Sequence, residues 1–144
     1  MAEMTLKNII KYLPRFIAAI ILLETLLFKF GIGGEAFLNE SKALFTNLTI
    51  SIFGHGDFEA FFRVSTGVLE LIASILLLWP KRAGLGALLG VILMFGAILS
   101  HLFFIGVIVG NDGGQLMVMA LIVLMCCTKV LLDEKPNILA FFGK

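Results

Sequence analysis

Four stretches of the chain stay apolar long enough to cross a bilayer as helices, which takes about 20 residues each. They run from about Tyr12 to Phe30, Phe61 to Trp79, Ala83 to Val109 and Gln115 to Leu132. Polar and helix-breaking residues separate them. Trp79-Pro80-Lys81-Arg82 closes the second stretch with an interfacial Trp, a Pro and two positive charges. Asn111-Asp112-Gly113-Gly114 reads as a tight turn between the third and fourth, and Pro136 follows the fourth. The long connection from Gly31 to Ala60 is not plainly polar. In it Phe37, Leu38, Leu44, Phe45, Leu48, Ile52 and Phe53 recur at roughly helical spacing, with Ser41 placed to cap a short helix. This predicts an amphipathic helix lying on the outer membrane surface or over the mouth of the bundle. Gly54-His55-Gly56-Asp57 then turns the chain into the second span, with His55 solvated. The predicted fold is all-α: one integral membrane domain over residues 1–144, a four-helix bundle with an additional amphipathic helix in the first outer loop.

Composition points the same way. Of the residues, 60% are hydrophobic and 15% charged, where a soluble domain carries about a quarter charged. A soluble fold this small lacks the interior to bury so much apolar surface, so the lipid bilayer is the expected partner. The net charge of +1 gives no basis for a nucleic-acid partner. The first stretch is too long for a cleavable signal peptide, contains Glu24, and has no small-x-small site after it. Cys126 and Cys127 are adjacent, which suits neither a disulfide framework nor a C-x-x-C redox pair, and both read as reduced packing thiols. Gly86-x-x-x-Gly90 and Gly106-x-x-x-Gly110 are candidates for close helix packing.

Charge sets the orientation. With four spans, Lys7, Lys11, Arg15, Lys81, Arg82, Lys129, Lys135 and Lys144 share one side, and only Lys29, Lys42 and Arg63 the other. The positive side is cytoplasmic, so both termini are expected in the cytoplasm and the protein in the cytoplasmic membrane.

The polar residues within the spans carry the functional signal, because a charge near the bilayer centre costs about 2.5–3.5 kcal/mol on insertion scales. At about 1.5 Å of rise per residue, Glu24, Glu70 and His101 fall roughly 9, 13 and 12 Å below the outer ends of the first three spans. Three helices thus bring an ionisable group to one level. Arg63, Thr66, Gly67, Glu70 and Ser74 make a small, polar stripe on the second span; Ala83, Ala87, Gly90, Met94, Ala97 and His101 make one on the third. Gln115 opens the fourth span near the outer mouth, which Lys29 and Arg63 flank. Two readings stand. In one, Glu24, Glu70 and His101 form a satisfied network with Thr66 and Arg63 that fixes helix register. In the other, they line a polar pocket, open outward, that holds a ligand or relays protons. On the second, Glu70→Gln is expected to fold and melt like the parent yet lose function.

Glu24, Glu70 and His101 also form a secondary candidate set of metal ligands, but the di-iron signature Glu-x-x-His is absent. No G-x-S-x-G occurs, and Ser100 and His101 fall on different helix faces, so no catalytic residue is assigned.

The chain resembles the DoxX family of small membrane proteins over nearly its whole length. The resemblance rests on Arg15 and Lys29 at the two ends of the first span and on the segment from Gly67 through Glu70 to Leu78, similar to G-x-x-E-x-x-x-x-x-L-L-L. Lys81-Arg82-Ala83-Gly84, Gly96-Ala97 leading to His101, and the Asn111–Gly114 turn add to it. It implies a four-helix bundle in the cytoplasmic membrane. It also implies an accessory or binding subunit of membrane redox chemistry, partnered with a quinone-linked oxidoreductase and holding a quinone or a similar small polar molecule. The pocket residues then have a role: His and Glu exchange hydrogen bonds with a quinone head group and move protons. The rival classes are a small-molecule carrier, which with four short helices requires a homo-oligomer, and a purely structural partner subunit. No cofactor motif points to a complete enzyme.

Overall fold

The computed structural model describes residues 2–143, with side chains from residue 5 onward. Six α-helices follow in chain order: α1 (Ala2–Phe30), α2 (Glu35–Phe53), α3 (Glu59–Leu78), α4 (Ala83–Ser100), α5 (Gln115–Asp133) and α6 (Lys135–Phe142). A π-helical turn, His101–Ile105, continues α4. No strand occurs among the described residues.

α1 and α4 each pack against both α3 and α5, so the four long helices close a ring. Its core holds Leu22, Leu77, Ala87, Met94, Val123 and Cys127. Small residues set the closeness. A Cβ on Gly86 would lie 2.5 Å from the Leu77 backbone nitrogen, and one on Gly90 would lie 2.6 Å from Cys127 Sγ. α4 therefore touches α3 backbone to backbone, and the Cys127 thiol fills the space that Gly90 leaves on α5.

α2 lies across one end of the ring, on α1, α3 and the π turn. It leaves α1 at 92°, through a corner in which Gly31 and Gly34 take φ of +69° and +118°. Only glycine adopts such angles without strain. Ser41, Leu44, Phe45, Leu48 and Thr49 are its buried face, a spacing of three and four residues that makes one helical stripe. Leu44, Phe45 and Leu48 form a second, smaller core with Phe28, Phe62 and Leu116.

Charge and apolarity are distributed inside out. Arg15, Lys29, Arg63, Glu70, His101 and Glu134 are buried, while Phe61, Ile92, Phe103 and Met125 are among the exposed large hydrophobics. Among the described residues, three helices are long and apolar enough to cross a membrane by length and composition: α3, α4 with its π turn, and α5. α1 reaches that standard only together with α2, because Arg15, Glu24 and Lys29 interrupt its apolar stretch.

Several elements differ from the sequence expectation. The loop helix starts at Glu35 rather than near Ser41, which is fully buried inside it and caps nothing. Of its expected apolar positions, Phe37, Ile52 and Phe53 are exposed. Regular helix in α4 stops at Ser100, well before Val109. Gly106 and Gly110 have positive φ outside any helix, so that G-x-x-x-G is not a packing motif. Pro136 follows the fourth span as expected, but it stands in the first turn of a further helix, α6, that the sequence reading did not anticipate.

Candidate functional site

On α3 the buried polar positions Arg63, Glu70 and Ser74 share a face with Gly67. Gly67 admits the Phe30 ring, whose Cζ lies 2.7 Å from where a Cβ would be. α1 and α3 can then exchange polar contacts. Thr25 and Lys29, four apart on α1, both reach Glu70. Thr25 Oγ1 donates to Oε2 at 2.9 Å, and Lys29 Nζ lies 3.1 Å from Oε1 and 2.8 Å from Oε2. Arg63 returns the contact, donating to the Lys29 carbonyl at 2.8 Å while pairing with Glu59. This satisfies a carbonyl left open at the end of α1. The Thr66 hydroxyl bonds the carbonyls of Phe62 and Arg63 in its own helix.

His101 is buried where α4 gives way to the π turn. Its Nδ1 lies 2.8 Å from the Gly106 carbonyl. A carbonyl only accepts, so Nδ1 carries a proton. Short π-helical segments are rare and often mark functional positions.

Glu70 and His101 line one cavity of about 320 Å³, together with Lys29, Thr66 and Ser100. It is the gap between the two cores: Leu22, Met94 and Val123 of the ring form one wall, and Leu44, Phe45 and Leu48 of α2 form the other. Ile92 and Gly96 of α4 also line it and are themselves exposed, so the cavity is open on the α4 side. Its size is within the range of small-molecule sites, and apolar walls with a few convergent polar groups are their usual make-up.

Glu24 does not join this cavity. It is exposed and borders a second, larger one of about 550 Å³, with Glu40, Asn47, Asp112 and Gln115. The reason is angular: equal depth fixes position along a helix and not around it. The inward face of α1 runs through Ala18, Leu22, Leu26 and Lys29, and Glu24 stands off it. Nor does either carboxylate bond His101; the ring bonds Gly106 and Glu70 bonds α1. Gln115 is exposed, with its amide 3.7 Å from Met119 Sδ.

Asp112 holds the turn before α5. One carboxylate oxygen accepts from the backbone N–H of Val109 and Gly114 at 2.9 and 2.8 Å, the other from Leu116 at 3.2 Å. Burial opposes its charge, but these three backbone donors help to hold the carboxyl below the usual carboxylate range.

Sequence reasoning missed two contacts. Thr25 is uncharged and escaped a search for ionisable groups, although its i, i+4 spacing to Lys29 was legible. Glu134, beyond the fourth apolar stretch, is buried at the junction of α5 and α6 and pairs with Arg15 of α1, with Lys11 at 3.7 Å. His55 is half-exposed, 3.2 Å from Asp57.

Glu24, Glu70 and His101 do not assemble as metal ligands. Among the described residues no three of His, Cys, Asp or Glu converge to hold an ion. Compared with models of known families, with characterised proteins and with solved structures, the chain matches none.

Proposed function

We propose that the protein is a four-span bundle of the cytoplasmic membrane that binds a small lipophilic molecule with a polar head in the cavity under α2. The spans are α1, α3, α4 with its π turn, and α5; α2 lies over the outer mouth, and both termini are cytoplasmic. The inside-out distribution of charge supports the membrane placement, since lipid accepts the exposed Phe61, Ile92 and Phe103 where water would not. The split of eight against three Lys and Arg supports the orientation.

One observation carries the binding role: the cavity of about 320 Å³ has apolar walls and polar groups on Lys29, Glu70 and His101. Lys29 and Glu70 satisfy each other and hold α1 to α3. His101 is the group turned to a ligand. A quinone head group has this amphipathic make-up, and the resemblance to the DoxX family supports the same class and an accessory role beside a membrane redox enzyme.

The test is titration of the full chain in lipid nanodiscs with decylubiquinone, in both its oxidised and reduced forms, with empty nanodiscs subtracted. Leu48 lines the cavity from α2, and Leu48→Trp fills it. Saturable binding, one molecule per chain and lost in Leu48→Trp, is the expected result. Uptake equal to that of empty nanodiscs, or unchanged by the Trp, counts against the reading.

A further inference from the structure

The hydroxyl groups of the cavity leave it richer in acceptors than in donors. The Ser100 hydroxyl donates to the Gly96 carbonyl at 2.9 Å, Thr66 to carbonyls of α3, and Thr25 to Glu70 and the Leu22 carbonyl. Their protons are spent and their lone pairs remain. Lys29 directs its ammonium at Glu70, whose two oxygens take up to two of its three N–H groups.

His101 completes the pattern. Gly106 takes the Nδ1 proton, and no carboxylate among the described residues bonds the ring. The neutral ring with its proton on Nδ1 has an acceptor at Nε2. Arg15 Nε and Ser41 Oγ also lack partners, but they are sealed inside the protein. Nε2 is not sealed: it has no partner among the described residues, and His101 lines the cavity.

We infer that the cavity selects a lipophile bearing a hydroxyl group, which donates its hydrogen bond to His101 Nε2. This rests on the cavity being a binding site. A ligand offering only a carbonyl or ether oxygen leaves Nε2 unpaired in apolar surroundings. Phenols and long-chain alcohols meet the requirement; within a quinone couple, the reduced form does. The gap beside Ile92 and Gly96 gives such a molecule a route from the lipid.

The test compares 4-octylphenol with 1-fluoro-4-octylbenzene, which replaces the hydroxyl by a fluorine of similar size. Both are titrated into the full chain in nanodiscs, beside decylubiquinone in both redox forms. One hydrogen bond is expected to favour the phenol by about fivefold to tenfold. His101→Asn separates the two roles of the ring. Its amide nitrogen stands near the place of Nδ1 and donates to Gly106, while nothing replaces Nε2. It is expected to melt like the parent and bind both probes equally. Equal binding by the parent overturns the hydroxyl preference and leaves the cavity reading intact. A preference that survives in His101→Asn overturns the role of Nε2. Failure of both octyl probes while decylubiquinone binds overturns the hydroxyl as the selected feature, and failure of every probe overturns the cavity reading itself.

Discussion

Lys29 on α1 and Glu70 on α3 form an ion pair at 2.8 Å, with their side chains 11% and 7% exposed. Both are held from a second direction as well: Arg63 bonds the Lys29 carbonyl, and Thr25 bonds the carboxylate. Removing one member of a buried pair leaves the other charge uncompensated, a loss of up to about 3–5 kcal/mol, whereas replacing both with apolar groups is often nearly neutral. Glu70→Gln alone is therefore expected to melt well below the parent in detergent, and Lys29→Met with Glu70→Leu to recover most of the loss. The pair changes the expectation drawn from sequence, where an amide at position 70 keeps most neighbours satisfied. A Glu70→Gln protein that melts like the parent overturns the structural role of the pair.

Gly86 and Gly90 predict different consequences for the same substitution. An alanine methyl at 86 meets the α3 backbone at Leu77, while one at 90 meets the Cys127 sulfur. Forcing a methyl into a packed contact costs about 1–3 kcal/mol. Backbone cannot yield without moving a helix, but a thiol can be removed. Gly90→Ala is expected to be rescued by Cys127→Ala, and Gly86→Ala not to be. Melting temperatures of the two single and two double variants check this, and rescue of both would refute it.

Gly96 borders the cavity, and no atom lies within 4 Å of where its Cβ would be. Gly96→Leu is expected to fold normally, since the side chain meets open space and leucine favours helix over glycine by about 1 kcal/mol. It should narrow the opening on the α4 side. Stopped-flow binding of decylubiquinol should then show a slower association rate with little change in melting. Unaltered association means the ligand enters elsewhere.

Asp112 predicts an acid limb. Its folded pKa is lowered by three backbone donors despite burial, so its contribution is fully present above about pH 4, the ordinary carboxylate value. That contribution disappears as pH falls through the lower, folded value. The side chain is part-exposed, so the effect is below about 1 kcal/mol. Asp112→Ala should melt below the parent at pH 6, and the difference should close as the pH falls through the lowered, folded value. A difference independent of pH would place the stabilisation in backbone geometry instead.

The hydrophobic pattern by itself determined the all-helical architecture, the apolar segments, the turn at Asn111–Gly114 and the helix across the Gly31–Ala60 connection, because each is set by composition within a short window. The stripe of Arg63, Gly67, Glu70 and Ser74 was likewise legible, since periodicity within one helix gives its faces. What the sequence could not supply is the angle of one helix about its axis relative to another. Glu24, Glu70 and His101 stand at similar depth, yet Glu24 points away from the cavity that the other two line. Only the packing of α1 against α3 gave Glu70 the partners Thr25 and Lys29 instead of His101. The π turn was hidden for a related reason. It is held by a side chain bonding a carbonyl five residues on, which no apolar periodicity records. The Arg15–Glu134 pair joins residues 119 apart in sequence, and only the closing of the ring brings them together. Depth can be counted along a chain, but azimuth and long-range pairing are decided by how the helices pack.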